Sequence, residues 1–157
     1  MTTILWHGPS RTLACDTLVV GNNGEISHAS KYMVRPDGIV AVGGFLYGLS
    51  VFDSWLDDAI KNPDREVKKF PKSLRECDCI YVSAVTDQIA MYEGVSAPSV
   101  LKFDGIYGWG TGGSAAQAFA VAGYGPVESI QMASAVDVFT GDEVEVVPLQ
   151  RLYRNNS

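Results

Sequence analysis

Short apolar runs separated by turn-forming residues dominate the first part of the chain. Glycine, proline and asparagine bound these runs, so the pattern predicts strands joined by turns. The first three runs are Thr3–Trp6, Thr12–Cys15 and Leu18–Val20. A fourth strand is predicted over Ile39–Val42, because this run ends at Gly43-Gly44.

A helical pattern follows that fourth strand. Apolar residues recur three or four positions apart and predict an amphipathic helix. They are Leu49, Phe52, Leu56 and Ile60. The helix is expected to stop near Asn62-Pro63. The segment Asp64–Asp78 is charged and interrupted by proline, which predicts a solvated connection with at most a short helix.

The second half of the chain alternates strands and turns and then becomes helical. Strands are predicted over Ile80–Val85, Ile89–Tyr92, Ser99–Phe103 and Ile106–Trp109. Ser114 and Gln117 have the spacing of a capping box and predict a helix that runs to Ala122. Pro126 begins a second helix, and Val144–Leu149 is a final strand.

This order of elements indicates the fold class. No strand-helix-strand unit repeats, which favours an α+β fold with largely antiparallel sheets. Two sheets stacked face to face, with helices outside them, would accommodate the predicted elements. At 157 residues, of which 46% are hydrophobic, the chain is expected to form one domain over residues 1–157.

Charge and terminal sequence exclude several classes of function. The formal net charge is -6 and there is no block of lysine or arginine, which argues against nucleic acid or an anionic membrane as partner. The N-terminus lacks the features of a signal peptide, so a cytoplasmic location is expected. The three cysteines are expected to be reduced, and no metal site or cofactor is predicted.

One familiar motif suggests a nucleotide site. Gly108, Gly110 and Gly113 form a G-x-G-x-x-G sequence between a predicted strand and a predicted helix, which could hold a dinucleotide pyrophosphate. That interpretation requires a parallel strand after the helix, whereas a second helix is predicted there. A glycine-rich turn is the favoured interpretation.

The N-terminus offers a different chemistry. If Met1 were removed, Thr2 would carry a hydroxyl nucleophile and a free α-amine of pKa about 8 that can accept its proton. Such a site also needs a cation, an acid to orient it and amides for an oxyanion. The candidates are Lys31, Asp16 and the Gly43-Gly44 turn, although a solvated lysine and a strand-end aspartate are common in any protein.

Six segments resemble the proteasome and HslV branch of the N-terminal-nucleophile hydrolases. Met1-Thr2-Thr3-Ile4 is similar to the start of the peptidase subunit of the bacterial HslUV protease, and Leu13-Ala14-Cys15-Asp16 resembles a second-strand Ala-x-Asp pattern. Lys31 stands where the family's catalytic lysine follows a short strand. Val40–Gly44 resembles the family's strand that lines the oxyanion hole, and Gly110–Ser114 resembles its Gly-Ser-Gly motif. Asp137–Gly141 resembles the proteasomal Asp-x-Tyr-Ser-Gly segment.

The resemblance implies a threonine peptidase and a role for each matching residue. Thr2 would be the nucleophile, Lys31 its electrostatic activator and Asp16 the partner of Lys31. Gly43 or Gly44 would donate a hydrogen bond to the oxyanion, and Thr111 would place a hydroxyl near the nucleophilic water. Asp137 and Thr140 would form a second layer around the α-amine.

The resemblance also implies a four-layer αββα sandwich and assembly into a homo-oligomeric ring that degrades peptides or unfolded proteins. The chain is shorter than typical members and resembles the compact proteasome-like proteins of phages and some bacteria. The second long helix is expected to be shortened or missing, which leaves docking of an ATPase unfoldase open. The alternative is an inactive structural or interaction protein of the same fold that retains Met1.

Overall fold

The computed structural model describes residues 2–44, 47–62 and 69–150. The strands are β1 Thr3–His7, β2 Thr12–Asp16, β3 Leu18–Val20, β4 Ile26–His28, β5 Tyr32–Arg35, β6 Gly38–Gly43, β7 Asp78–Ser83, β8 Gln88–Tyr92, β9 Ser99–Leu101, β10 Ile106–Gly110 and β11 Val144–Pro148. The α-helices are α1 Gly48–Lys61, α2 Gly113–Val121 and α3 Pro126–Ser134.

The strands pair antiparallel in two main sheets and one hairpin. The first sheet has the order β10-β1-β2-β11, and the second has the order β5-β6-β7-β8-β9. Strands β3 and β4 pair with each other as a separate hairpin. The α+β class and the antiparallel sheets are therefore confirmed, although β4 and β5 were not among the predicted strands.

Alternating side chains of the first sheet enter two different cores. Ile4 and Leu13 face the second sheet and pack against residues such as Ile80, whereas Leu5 and Ala14 face α2 and α3. This separation follows from the two-residue period of a strand, which places neighbouring side chains on opposite faces. Both faces of β1 are thus buried, and its first residues are fixed firmly in place.

The outer face of the second sheet packs against α1. Phe52 and Trp55 of α1 form an aromatic cluster with Phe70 and Tyr92, in which the Trp55 and Phe70 ring centroids are 5.1 Å apart. Layers therefore follow in the order helix, sheet, sheet, helix. The four-layer αββα sandwich is confirmed, and α1 is the one α-helix that the described residues place on this side.

Two local predictions were wrong. The segment after α1 is not simply solvated, because Phe70, Leu74 and Cys77 are buried against α1; residues 63–68 of that predicted connection lie outside the described part of the chain. Ser114 does not cap α2, which starts at Gly113. Gln117 Oε1 instead accepts a hydrogen bond of 3.0 Å from the Gly108 amide, at the free edge of β10.

The three α-helices among the described residues are short or amphipathic. Within the described ranges, none of them combines the length and the apolar character that crossing a membrane requires.

Candidate active site

The candidate site lies where the two sheets meet at the beginning of β1. Strand pairing places Thr3 opposite Gly110 in the first sheet and Gly43 opposite Asp78 in the second. A cavity of about 390 Å³ opens between these strand ends. It is lined by Thr2, Gly43, Gly44, Glu76, Asp78, Gly110 and Thr111.

Thr2 forms part of the cavity wall beside the end of β6. Its side chain is so close to Gly43 that a Cβ added there would lie 3.4 Å from Thr2 Cβ and Cγ2. Gly44 has a φ of +123°, which lets the chain turn away from the strand against Cys77. The predicted nucleophile and the predicted oxyanion turn are therefore adjacent.

Asp16 is the centre of a buried polar network beneath this wall. Its carboxylate is fully buried at the end of β2. Oδ1 accepts hydrogen bonds from Lys31 Nζ at 2.7 Å and from the Thr3 amide at 2.8 Å, and Oδ2 accepts one from the Gly141 amide at 2.9 Å. One oxygen therefore holds the lysine ammonium beside the backbone at the start of β1.

Lys31 is nine-tenths buried between β4 and β5. Besides its ion pair with Asp16, its ammonium donates a hydrogen bond of 2.7 Å to the Leu18 carbonyl oxygen. A buried ammonium without partners would be strongly unfavourable, so these contacts fix the charge in one position. The sequence alone could not exclude a solvated lysine at this position, and the structure does exclude it.

A chain of hydroxyl groups joins β1 to the loop after α3. Thr140 Oγ1 donates its one proton to Asp137 Oδ2 at 2.7 Å. Thr140 Oγ1 and Thr3 Oγ1 are 2.6 Å apart, and the Thr3 hydroxyl is therefore the donor in that hydrogen bond. Burial raises the pKa of Asp137, but hydrogen bonds from Thr140, Thr111 and the Phe139 amide outweigh it and hold this pKa below its usual range.

The glycines of the G-x-G-x-x-G motif allow close approach of the chain to this site. Gly110 has a φ of +86°, and a Cβ on it would overlap the Thr2 carbonyl oxygen. A Cβ on Gly112 would overlap the hydroxyls of Thr140 and Thr3. Because β10 runs antiparallel to β1 and α2 is followed by α3, the motif also lacks the parallel strand that a dinucleotide site requires.

Three residues at the site were not predicted. Thr3 connects both polar networks, and Glu76 and Asp78 line the cavity. Burial and the nearby Glu93 raise the pKa of Asp78, although a hydrogen bond from the Gly110 amide opposes this shift. Asp78 belonged to a segment interpreted as solvated, so nothing in the sequence distinguished it from a surface acid.

The structure brings all the predicted site residues into one region. Thr2, Gly43, Gly44 and Thr111 line the cavity. The other members lie in the two networks that meet at Thr3: Asp16 with Lys31, and Asp137 with Thr140. Residues far apart in sequence thus lie close together, while their membership of an active site and their chemical roles stay predictions.

The layers, the sheet order and this position of the N-terminal strand correspond to a proteasome-like fold. The structure is similar to eukaryotic HslV from Trypanosoma brucei, with 20% identity, a TM-score of 0.72, and coverage of 93% of this chain and 98% of that chain. It is also similar to Thiobacillus denitrificans BPH, with 16% identity, a TM-score of 0.65, and coverage of 99% and 100%.

BPH in complex with epoxomicin matches with 14% identity and a TM-score of 0.64, over 98% of this chain and 100% of that chain. A scan against protein-family models and a search of the curated proteins find no match. The likeness therefore covers nearly the whole fold, at a level of identity where it indicates the fold alone.

Proposed function

We propose that the protein is a threonine-type peptidase that uses Thr2 after removal of Met1. The observation that carries this proposal is the network in which Asp16 Oδ1 binds both the Lys31 ammonium and the Thr3 amide. A protein that served only as a scaffold would not need a buried cation at the start of its N-terminal strand. Apolar side chains of similar volume would often stabilise a fold as well as a buried ion pair does, so stability alone does not account for this pair.

Hydrolysis would proceed through an acyl-enzyme. The free α-amine of Thr2 accepts the hydroxyl proton, directly or through water, while Oγ1 attacks the peptide carbonyl carbon. The Lys31 ammonium stabilises the developing alkoxide, and an amide of the Gly43-Gly44 turn stabilises the oxyanion. The protonated amine then returns the proton to the leaving nitrogen as the C–N bond breaks.

Water completes the cycle. The α-amine, neutral again, accepts a proton from a water molecule near Thr111, and this water attacks the ester carbon. Collapse of the second tetrahedral species releases the carboxylic acid product and restores the Thr2 hydroxyl. Asp137 and Thr140 form the second layer around the amine. The lowered pKa of Asp137 keeps its carboxylate negative, so that it continues to accept the hydrogen bond from Thr140.

Intact mass measurement together with an active-site probe tests this proposal. Epoxomicin is bound by BPH, so it is the first probe for this chain. We expect a species that lacks Met1 and carries one inhibitor on Thr2, and no adduct on the Thr2→Ala variant. Complete retention of Met1 in the natively expressed protein, without labelling, would favour the alternative of an inactive structural or interaction protein.

The resemblance stated for the sequence further favours a homo-oligomeric ring that acts on peptides or unfolded proteins in the cytoplasm. Native mass spectrometry measures the ring directly, and a monomer at working concentration would contradict it. Docking of an ATPase unfoldase stays an open prediction, because the described residues between α1 and β7 form a short 3-10 turn, Lys72–Leu74, and residues 63–68 lie outside the described part of the chain.

A further inference from the structure

Thr3 has a fully buried hydroxyl group that none of the chemical steps above uses. The side chains on either side of it, Thr2 and Ile4, face the second sheet, because a Cβ on Gly43 would lie within 3.6 Å of atoms of both. The two-residue period of a strand therefore turns the Thr3 side chain to the opposite face, toward the layer of α2 and α3. Thr3 has no exposed surface and does not line the cavity, so a peptide bound there does not contact it.

On that opposite face the Thr3 hydroxyl is tightly enclosed. It donates its proton to Thr140 Oγ1 at 2.6 Å. Gly112 closes the other side of this pair, because a Cβ there would overlap both hydroxyl groups. A β-branched side chain is stiff about χ1, so a contact that fixes Oγ1 of a threonine also restrains its backbone. The hydroxyl of Thr3 thus anchors the first residue of β1.

The peptide unit between Thr2 and Thr3 is held on both sides. The Thr3 amide donates a hydrogen bond of 2.8 Å to Asp16 Oδ1, the oxygen that also binds Lys31 Nζ. The Thr2 carbonyl oxygen lies against Gly110, where an added Cβ would overlap it. A peptide unit is planar, so contacts to its N–H and its carbonyl oxygen fix the direction in which the chain reaches Thr2.

We infer that Thr3 is a positioning residue, whose hydroxyl acts through this peptide unit to hold the Thr2 nucleophile in its reactive orientation. The inference rests on the proposed peptidase function and adds a residue to it. A displacement of about 1 Å at a reacting group can cost about a hundredfold in rate. Because Thr3 has no contact with the ligand, its loss should slow the reaction at Thr2 and leave binding unchanged.

Three variants of the full-length protein separate positioning from stability. Thr3→Val keeps the shape of the side chain and removes the hydroxyl, whereas Thr3→Ser keeps the hydroxyl and removes the methyl group. Thr12→Val is the matched control. Thr12 is a buried threonine of the same sheet, and its hydroxyl donates a hydrogen bond of 3.0 Å to the Ser10 carbonyl oxygen. It lies opposite His7, at the other end of β1 from Thr3.

Two measurements are made on each variant, well below its unfolding temperature. Intact mass spectrometry follows labelling of Thr2 by epoxomicin at a series of concentrations. It gives the rate constant at saturation, kinact, and the half-saturating concentration, KI. NMR hydrogen exchange measures the protection of the residue 3 amide, corrected for the intrinsic exchange rate of each residue type. The second measurement does not depend on activity.

We expect Thr3→Val to lower kinact by about tenfold to a hundredfold with little change in KI. The protection of its residue 3 amide should also fall, because the anchor that keeps this amide on Asp16 is lost. Thr3→Ser should keep most of the wild-type kinact. Thr12→Val loses a comparable hydrogen bond but should change neither kinact nor the protection at residue 3.

The two measurements separate failure of the inference from failure of the proposed function. Loss of protection in Thr3→Val, when even the wild type is not labelled, would contradict the peptidase and leave the positioning standing. Labelling of Thr3→Val at the wild-type rate, or a change in KI alone, would overturn the positioning and leave the peptidase standing.

Three further outcomes would overturn the positioning. They are unchanged protection at residue 3 in Thr3→Val, a Thr3→Ser variant as slow as Thr3→Val, and a Thr12→Val variant as slow as Thr3→Val. If Thr3→Val does not fold, Thr3→Ala takes its place under the same expectations. It removes the hydroxyl without placing a methyl group against Thr140.

Discussion

Carboxylates on the two sides of the candidate cleft have opposite environments. Below Thr2, Asp16 is fully buried but receives the Lys31 ammonium and two backbone amides, and the neighbouring Asp137 has a lowered pKa. Across the cavity, Asp78 receives one amide, lies near another acid and has a raised pKa. Burial therefore does not by itself decide how a carboxylate behaves; its partners do.

This difference separates groups that organise the site from groups that only line the cavity. The Asp16 side is complete within the chain, so its geometry is fixed before substrate arrives, as electrostatic preorganisation requires. On the other side, Glu76 and Asp78 form no ion pair with another described residue. The comparison predicts that the first side determines stability and turnover, and that the second side contributes little to stability.

The largest effect is expected from Asp16→Ala. The change leaves the buried Lys31 charge without its counter-ion and removes an acceptor from two amides, and breaking a buried pair in this way costs about 3–5 kcal/mol. Urea denaturation measures the loss, and peptidase activity should fall below detection. The matched surface change Glu76→Ala should alter the free energy of unfolding by about 0.5 kcal/mol or less. Equal losses in the two variants would contradict the comparison.

A glycine pair tests how tightly the chain closes over Thr2. Gly110 and Gly123 both have positive φ, but a Cβ on Gly110 would overlap the Thr2 carbonyl oxygen, whereas Gly123 has open space around it. Gly123→Ala should cost about 1–2 kcal/mol from backbone conformation alone. Gly110→Ala should cost about 1–3 kcal/mol more from overpacking. Thermal unfolding measures both variants, and similar values would show that the site tolerates displacement.

Loss of one hydroxyl from the chain of hydroxyl groups between Thr3 and Asp137 should lower the free energy of unfolding by a smaller amount. Thr140→Val keeps the shape of the side chain but deprives Thr3 of its acceptor and Asp137 of a donor, which should cost about 1–3 kcal/mol for groups left unsatisfied. Thr140→Ser keeps the hydroxyl and is the control, with little expected change. The midpoint of urea denaturation distinguishes them. A Ser variant as unstable as the Val variant would indicate that the methyl group matters as much as the hydroxyl.

The sequence predicted what depends on local pattern and order. Alternating apolar runs indicated β1, β2 and β6, and the resemblance indicated that Asp16 and Lys31 share a site. Two features depended on tertiary packing and were missed. Glu76 and Asp78 face the cavity because Cys77 and Cys79 pack against α1. Cys77 lay in the segment Asp64–Asp78, whose charges predicted exposure.

Gly110 and Gly112 are a second example of this limit. Their spacing matched a nucleotide-binding motif. The sequence shows that a Cβ is absent at these positions, but it does not show which atoms occupy the space that a Cβ would fill. Here the space contains the Thr2 carbonyl and the hydroxyls of Thr3 and Thr140. Only the pairing of β10 with β1, across a long stretch of sequence, identifies those neighbours.

The smallest effect, and the sharpest test of the comparison, is the sign of two pH dependences. The pKa of Asp137 is lowered on folding, so the ionised carboxylate stabilises the protein at pH values above its ordinary pKa of 3.8. The free energy of unfolding that wild type has over Asp137→Asn is lost as the pH falls through the lower folded pKa. The pKa of Asp78 is raised, so the charged form is unfavourable at neutral pH. The free energy of unfolding of the wild type should therefore rise relative to that of Asp78→Asn as the pH falls toward 3.8. Urea denaturation at a series of pH values measures both differences, and the same sign for both variants would refute the contrast between the two sides of the cleft.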